Sequence, residues 1–130
     1  MIARLLPSKN QSVNYDEFLR QLNKAGFRGE VAYSYGQRTV LATDNSIYQR
    51  LPQAAVFPVD AQDVVILATL AADPAHRSIV LTPRGGGTGT NGQSLTDGVV
   101  VDLSRHMNTI LEINAEERWV RVQSGVVKDQ

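Results

Sequence analysis

The sequence contains no cysteine. This absence excludes disulfides, thiolate-ligated zinc, iron–sulfur ligation and a cysteine nucleophile within the 130 residues. Histidine is almost as scarce, because only His76 and His106 are present. Neither a Ser–His–Asp arrangement nor a histidine-based zinc cluster therefore has support, and we expect no metal site in this chain.

The sequence also lacks an excess of either charge and any long apolar run. Thirteen Lys and Arg residues balance thirteen Asp and Glu residues, whereas nucleic-acid binders normally carry a basic excess. The longest mainly apolar run, Val64–Ala72, is too short for a membrane span of about 20 residues. Pro7 interrupts the N-terminal segment before a signal-peptide core develops. These absences predict a soluble, cytoplasmic domain with no nucleic-acid partner and no transmembrane segment.

Two segments carry the signals of helices. Asn14 and Glu17 are spaced as a capping box, and the apolar residues that follow recur at helical spacing, which predicts a helix over Tyr15–Ala25. Asp60 is the second candidate N-cap. The broad apolar face after it predicts a helix over Ala61–Ala72 that packs against a sheet.

Short runs rich in β-branched residues indicate strands. The predicted extended segments are Arg38–Leu41, Ala55–Pro58, Ser78–Leu81 (ended at Pro83) and Gly98–Leu103. Farther along, apolar and polar residues alternate on both sides of Asn114–Glu117, which predicts an antiparallel hairpin with one solvated face. The predicted fold class is α/β (α+β in the strict sense), with a small βαβ unit over Ala55–Leu103 beside an antiparallel sheet.

Half of the ten glycines lie within eight residues, between the third and fourth predicted strands. Glycine permits positive φ and close approach of a ligand to the backbone, and consecutive unpaired N–H groups form an anion-binding concavity. Arg84 adds a positive charge at the entrance, and Thr88 and Thr90 add hydroxyl donors. Residues 84–92, called the glycine loop below, therefore suit a phosphate or pyrophosphate.

Two familiar phosphate motifs do not account for this loop. Residues 87–92 have the spacing G-x-G-x-x-G, but that fingerprint must open a helix, and residues 93–97 are too few to form one before the next strand. The P-loop pattern fails as well, because Gln93 stands where its lysine is required. A flexible connection is the remaining alternative. Pro83 and Arg84 at the entrance, and the buried strands on both sides, argue against it.

The run from Pro83 to Gly89 resembles the pyrophosphate-binding loop of FAD domains of the p-cresol methylhydroxylase / vanillyl-alcohol oxidase (PCMH) type. The resemblance extends over Arg38–Gln130 and includes four further segments in the family's order and spacing. These are Ala42–Ser46 with Tyr48, Val56–Pro58, Val99–Ser104 with Met107 and Asn108, and Val122–Val126. We expect residues 1–37 to form an N-terminal arm and helix, and residues 38–130 to form an incomplete N-terminal part of the FAD domain.

The resemblance implies which residues bind the cofactor. Backbone amides of the glycine loop would hold the FAD pyrophosphate, and Gly125 and Val126 would approach the flavin. The implied loop residues are Arg84, Gly85, Gly86, Gly87, Thr88, Gly89, Thr90, Asn91 and Gly92. Family members with covalently attached flavin carry a histidine in this loop, and Thr88 stands at that position here, so a non-covalent FAD is implied.

Within the family, the upstream Ala42–Ser46 segment is similar to large bacterial proteins that join this FAD domain to a [4Fe–4S] domain. These proteins act on D-2-hydroxyglutarate or D-lactate, so the resemblance implies a dehydrogenase for a 2-hydroxy acid substrate, with an unknown electron acceptor. Its catalytic residues and iron–sulfur cluster would lie outside this chain, which is expected to be an inactive fragment. Two alternatives stay open: another reaction on the same fold, such as aldonolactone oxidase or UDP-sugar reductase, and a non-enzymatic phosphate- or nucleotide-binding module.

The remaining polar and aromatic residues have ordinary structural interpretations. His76 is expected at the surface after a helix, and His106 as a satisfied polar group rather than a catalyst. Asp44 is interpreted as a turn residue, Asp102 as the polar end of a strand, and Trp119 as a packing residue on a sheet face.

Overall fold

The structure, a computed structural model, describes residues 14–128, and the predicted arm at residues 1–13 lies outside them. Helix α1 spans Tyr15–Lys24, and the Asn14 side chain accepts the Glu17 N–H at 2.9 Å. The Glu17 carboxylate accepts a hydrogen bond from Gln21 and pairs with an arginine of the same helix. The predicted N-cap at Asn14 is therefore present, while the Glu17 side chain bonds to other side chains of the same helix.

A four-stranded sheet forms the centre of the molecule. Its strands are β1 (Glu30–Ala32), β2 (Ala54–Phe57), β3 (Leu81–Arg84) and β4 (Val99–Asp102), in the order β1-β2-β4-β3. Strand β1 runs antiparallel to β2, whereas β2 and β3 each run parallel to β4. Helix α3 (Ala61–Ala72) connects β2 to β3 and crosses over β4. The predicted α/β class with a βαβ unit is confirmed.

The segment predicted as extended at Arg38–Leu41 instead forms the end of helix α2, which spans Tyr35–Val40, and its C-cap Leu41. The Ser34 hydroxyl accepts the Gln37 N–H at 3.3 Å, and the two side chains bond to each other at 2.7 Å. Ser34 and Gln37 thus form a Ser-x-x-Gln capping pair, which begins a helix in spite of the β-branched residues that follow.

The third strand is displaced from its predicted position. It begins at Leu81, whereas the prediction began it at Ser78, and it contains Pro83, which was expected to end it. Proline cannot donate to a strand ladder and is tolerated in edge strands. Because β3 lies at the edge of the sheet and pairs with β4 alone, Pro83 leaves no donor missing from a second neighbour.

Helices cover the two faces of the sheet unequally. Helices α1 and α3 pack on the face formed by Ala54, Val56, Val99 and Val101, with α1 contributing Phe18 and Leu22, both fully buried. The opposite face has a smaller cluster, in which residues from strands β1, β2 and β4 meet Leu41 just after α2. The sheet residues of this second cluster are nevertheless buried, and the Arg105 guanidinium lies 3.6 Å from the centre of the Phe57 ring.

The predicted hairpin is present as a separate two-stranded sheet. Strand β5 (Ile110–Asn114) pairs antiparallel with β6 (Trp119–Val122), with a register shift at Leu111. Trp119 donates its indole N–H to Glu117 at 2.7 Å and stacks with the guanidinium of Arg121, 5.7 Å from the ring centre. The expectation of a single solvated face is wrong for the described residues, because the apolar side chains of both strands are 43–67% exposed.

His76 is buried, contrary to the sequence-based expectation of a surface position. It lies in a short 3-10 turn (Pro74–His76), where its Nε2 contacts the Gln21 side-chain oxygen at 2.9 Å and its ring meets Phe18 edge to face at 5.3 Å. His76 therefore joins α1 to the end of α3.

No helix among residues 14–128 is long and apolar enough to cross a membrane.

Candidate anion-binding site

The glycine loop begins at the carboxyl end of β3, beside the carboxyl end of β4. Arg84 and Asp102 are register partners, and the Leu103 N–H donates to the Arg84 carbonyl at 2.9 Å. Parallel strands end at one common edge, and the crevice outside that edge is where open α/β sheets bind ligands. The sheet topology therefore places the loop at the position where a ligand is expected.

The backbone of the loop leaves its N–H groups available. Gly87 and Gly92 have φ values of +68° and +73°, a conformation that favours glycine. Within residues 14–128, no hydrogen bond uses the backbone N–H groups of residues 85–90. A run of such groups in a turn is an anion-binding concavity. The geometry agrees with the predicted pyrophosphate cradle.

Arg84 lies against the loop that it precedes. Its guanidinium folds over Gly87 so closely that a Cβ there would collide with it. Its Nη1 donates to the Ser94 hydroxyl at 3.5 Å, across the base of the loop. The side chain is half-buried, so its positive charge is partly removed from water beside the free amides. A fixed cation beside unpaired N–H groups suits a phosphate oxygen.

Gly85 and Gly86 have a different reason to be glycine. A Cβ added at Gly85 would meet no protein atom within 4 Å, and one at Gly86 would meet only the Thr88 methyl at 3.7 Å. Both have negative or extended φ, since neither belongs to the positive-φ residues. Protein packing in the described part therefore does not require glycine there, as expected where a ligand approaches the backbone.

The second half of the loop is internally bonded. The Asn91 N–H donates to the Gln93 side chain at 3.1 Å, and the Leu95 N–H donates to the Gly92 carbonyl at 3.0 Å. A Cβ at Gly89 would lie 2.6 Å from the Gln93 carboxamide carbon. The uninterrupted run of free amides therefore ends at Thr90, because the Asn91 N–H is engaged, while Gly92 contributes its carbonyl to the turn.

Gly125 and Val126 reach the same edge of the sheet with their amides already engaged. The Gly125 N–H donates to Met107 at 2.8 Å, and the Val126 N–H donates to Gln123 at 3.1 Å. A Cβ at Gly125 would collide with the Leu103 carbonyl, directly after β4. Packing against β4 therefore explains this glycine, and its predicted approach to a flavin stays a prediction.

Two side chains near the loop were not among the sequence-predicted site residues. Asp44 accepts the Ser46 N–H at 2.8 Å, which confirms its turn role, and also accepts the buried Ser94 hydroxyl at 3.4 Å. The Ser46 side chain, with smaller contributions from Ser94 and the charge of Arg84, holds the pKa of Asp44 below its usual range. Sequence spacing gave no signal for this contact, because 50 residues separate the two partners.

The other candidate polar residues belong to a separate cluster at this edge. Asp102 is buried and accepts both the N–H and the hydroxyl of Ser104, at 2.9 and 2.7 Å. His106 contacts Glu30 at 2.8 Å, and this contact, followed by Arg105, lowers the pKa of Glu30. His106 is thus a satisfied polar group.

Among the described residues, no group of three or more His, Asp or Glu side chains could hold a metal ion.

Comparison with known proteins gives a family and several relatives. Residues 52–130 match the FAD binding domain family. D-2-hydroxyglutarate dehydrogenase of Pseudomonas putida is 69% identical over 130 residues, which are all of this chain and 13% of that protein. D-2-hydroxyglutarate dehydrogenase of Escherichia coli is 58% identical over 113 residues, 87% of this chain and 11% of that protein. The chain thus spans about one eighth of these relatives' length.

Solved structures show the same fold at low sequence identity. Alkyldihydroxyacetonephosphate synthase superposes with a TM-score of 0.74 at 22% identity, over 98% of this chain and 24% of that one. This likeness concerns the fold alone. The fold likeness also covers residues before 52, where the family match begins.

Proposed function

The chain belongs to the FAD binding domain family, and from that premise we propose that it holds the FAD pyrophosphate within a flavin-dependent oxidoreductase. One observation carries the proposal: the unengaged backbone N–H groups of residues 85–90, at the carboxyl edge of a parallel sheet and beside the Arg84 cation. A pyrophosphate carries two adjacent negative charges, which such donors complement.

We assign the holding of the cofactor to Arg84, Gly85, Gly86, Gly87, Thr88, Gly89, Thr90, Asn91 and Gly92, with Gly125 and Val126 nearer the flavin. Bound flavin supplies a hydride acceptor. The residues of this chain would bind and orient it, because the amides of residues 85–90 are engaged in no hydrogen bond within residues 14–128. Gly85 and Gly86 leave the backbone open to close approach. Thr88 has no nucleophilic nitrogen for attachment to the flavin, which supports a non-covalent cofactor.

The proposed reaction is oxidation of a D-2-hydroxy acid, D-2-hydroxyglutarate or D-lactate, to the 2-oxo acid. The support is the 69% identity to a protein named D-2-hydroxyglutarate dehydrogenase. We propose that the substrate pocket, the catalytic base, the electron-acceptor site and a [4Fe–4S] cluster belong to other parts of a longer cytoplasmic protein. The division into residues 1–37 and 38–130 remains part of this proposal, and so does the expectation that the chain alone is inactive.

The experiment uses the complete protein that carries this sequence. We expect it to purify with FAD that acid precipitation releases into the supernatant, as a non-covalent cofactor must. With an artificial dye as acceptor, D-2-hydroxyglutarate or D-lactate should reduce the dye, and the corresponding L-acids serve as the matched control. If the protein carries FAD but neither D-2-hydroxyglutarate nor D-lactate leads to dye reduction, the substrate assignment is overturned. A protein that binds no FAD would overturn the proposal as a whole.

A further inference from the structure

A second loop packs against the glycine loop. Residues 42–50, called the support loop, close on themselves through the Arg50 N–H, which donates to the Ala42 carbonyl at 3.0 Å, and through a bridge between Thr43 and Gln49. The loop projects from the sheet face that α2 partly covers, because Leu41 belongs to the cluster on that face. Its tip therefore lies beside residues 84–97.

Asp44 makes the polar contact between the two loops. One of its carboxylate oxygens accepts the Ser46 N–H at 2.8 Å and fixes the turn. The other accepts the Ser94 hydroxyl at 3.4 Å, and the Ser94 oxygen in turn accepts the Arg84 Nη1–H at 3.5 Å. Ser94 is buried, whereas Asp44 and Arg84 are half-buried, so this chain of contacts is partly shielded from water. It connects a carboxylate to the cation at the entrance of the glycine loop.

Two further contacts hold the same pair of loops together. The Tyr48 ring lies under Gly92, so closely that a Cβ there would come within 3.1 Å of it. Arg50 pairs with Asp97 at 3.3 Å, just before β4. Because the direct contacts fall at Gly92, Ser94 and Asp97, the support loop fixes the second half of the connection between β3 and β4. It reaches the start of that connection, Arg84, only through Ser94.

We propose that Asp44 is a positioning residue for the FAD pyrophosphate, acting through Ser94 on Arg84, an inference that rests on the proposed function. A free arginine side chain loses rotamer freedom when it is immobilised, and this loss opposes binding. Because Asp44 and Ser94 immobilise Arg84 in advance, the ligand does not bear this cost on binding. Asp44 does not contact the cofactor.

This role makes a prediction opposite in sign to simple charge repulsion. A carboxylate near an anion site opposes the anion, so its removal should tighten FAD binding if charge alone acted. If Asp44 positions Arg84, its removal should weaken FAD binding despite the lost negative charge. The sign of the change therefore separates the two effects.

The experiment measures FAD dissociation constants of the complete protein by flavin fluorescence. Asp44→Asn retains the acceptor for the Ser46 N–H and removes the charge; Asp73→Asn is the matched control. The Asp73 carboxylate also accepts the N–H two residues on, at 2.8 Å, in a turn remote from the glycine loop. We expect about tenfold weaker FAD binding in Asp44→Asn, the size of one charge-assisted hydrogen bond, and no change in Asp73→Asn.

A double variant separates positioning from a general structural role. In an Arg84→Gln background, Asp44→Asn should have no further effect on the FAD dissociation constant, because no guanidinium remains to be positioned. Ser94→Ala interrupts the same contacts without touching the 44–46 turn, and should match Asp44→Asn. If Asp44→Asn does not fold, the FAD dissociation constant of Ser94→Ala tests the inference in its place.

Each outcome decides the inference. Tighter or unchanged FAD binding in Asp44→Asn or Ser94→Ala overturns it, and so does an equal loss with and without Arg84. If the unmodified protein binds no FAD, the proposed function fails instead, which is a distinguishable result.

Discussion

The glycines of this chain owe their positions to three different causes. Gly98 and Gly125 have no room for a Cβ, because the backbones of Val80 and Leu103 lie against them. Gly87 has a positive φ that other residues adopt at a cost. Gly85 and Gly86 show neither constraint within the described residues. Within the glycine loop, composition gives one signal for Gly85, Gly86 and Gly87, and only the geometry separates backbone conformation from ligand approach.

The open space at Gly86 allows a sharp test of the glycine loop. Gly86→Ala should lower FAD affinity by at least about tenfold, the cost of one misplaced charged hydrogen bond, with the stability of the apo protein unchanged. Gly36→Ala is the control, because it too adds a methyl group to open space, in helix α2. Thermal unfolding without ligand and FAD titration give the two quantities. Equal FAD affinities for both variants would contradict the predicted cradle.

Gly87 should behave differently, since its backbone is constrained. Gly87→Ala places a Cβ against Arg84 at a φ of +68°, so we expect both weaker FAD binding and a loss of about 1 kcal/mol or more of unfolding free energy. Urea unfolding of the apo protein measures the second effect. An unchanged stability would mean that the loop takes another conformation without the cofactor.

Asp63 is the residue on which the start of α3 most depends. It is fully buried and accepts the N–H groups of Arg28 and Val59, each at 3.0 Å. Asp63→Ala leaves both amides without a partner, so we expect a loss on the order of 3 kcal/mol of unfolding free energy. Asp16→Ala, an exposed aspartate in the first turn of α1, should cost under about 0.5 kcal/mol. Urea unfolding measures both variants, and similar losses would refute the role of Asp63.

At the scale of secondary-structure elements, sequence patterns within one segment predicted those elements whose bounds depend on interactions within the same segment. Helix α3 and its cap at Asp60 were predicted to the residue, because the capping carboxylate and the apolar face lie within one segment. Helix α2 was missed because Thr39 and Val40 suggested a strand, although Ser34 and Gln37 carried a capping signal. The displaced start of β3 depends on pairing with β4, which no local pattern contains.

The α3 N-terminus should respond to acid. The side-chain bond from Arg28, assisted by the Asp63 N–H, holds the pKa of Asp60 below its usual range. A depressed pKa stabilises the fold above the unfolded carboxyl value of about 3.9, and this contribution is lost as pH falls toward the folded value. Asp60→Asn keeps the cap and should flatten the fall of the melting temperature below about pH 5. An unchanged acid limb in this variant would argue against the Arg28 pairing.

The candidate site was predicted in part for the same reason. Glycine content and the flanking strands indicated the candidate anion-binding loop from sequence, since they lie in one continuous stretch. The contact of Asp44 with Ser94 joins residues that are 50 positions apart. The burial of His76 depends on Phe18 and Gln21 in another helix. Such residues acquire their roles from tertiary contacts.

At the scale of the whole molecule, the hairpin β5–β6 stands apart from the main sheet. Hydrogen bonds at its ends tie it to the segment after β4, where Gln123 donates to Thr109 and Gly125 to Met107. An isolated two-stranded hairpin is marginally stable in water. In the 130-residue chain, we therefore expect the amides of β5 and β6 to exchange with deuterium much faster than those of buried β4. Equal protection of β4 and the hairpin would contradict this prediction.

The strand order has a consequence for assembly. Strand β4 lies between β2 and β3 but follows both in the chain. Strands β2 and β3 therefore cannot pair with each other, and in the sheet they lie roughly 10 Å apart, which is two strand spacings, with β4 between them. Until β4 inserts, the two ends of the glycine loop have no fixed separation. If the loop holds the cofactor as proposed, cofactor capture follows the insertion of β4, and the bound cofactor favours the inserted state by mass action.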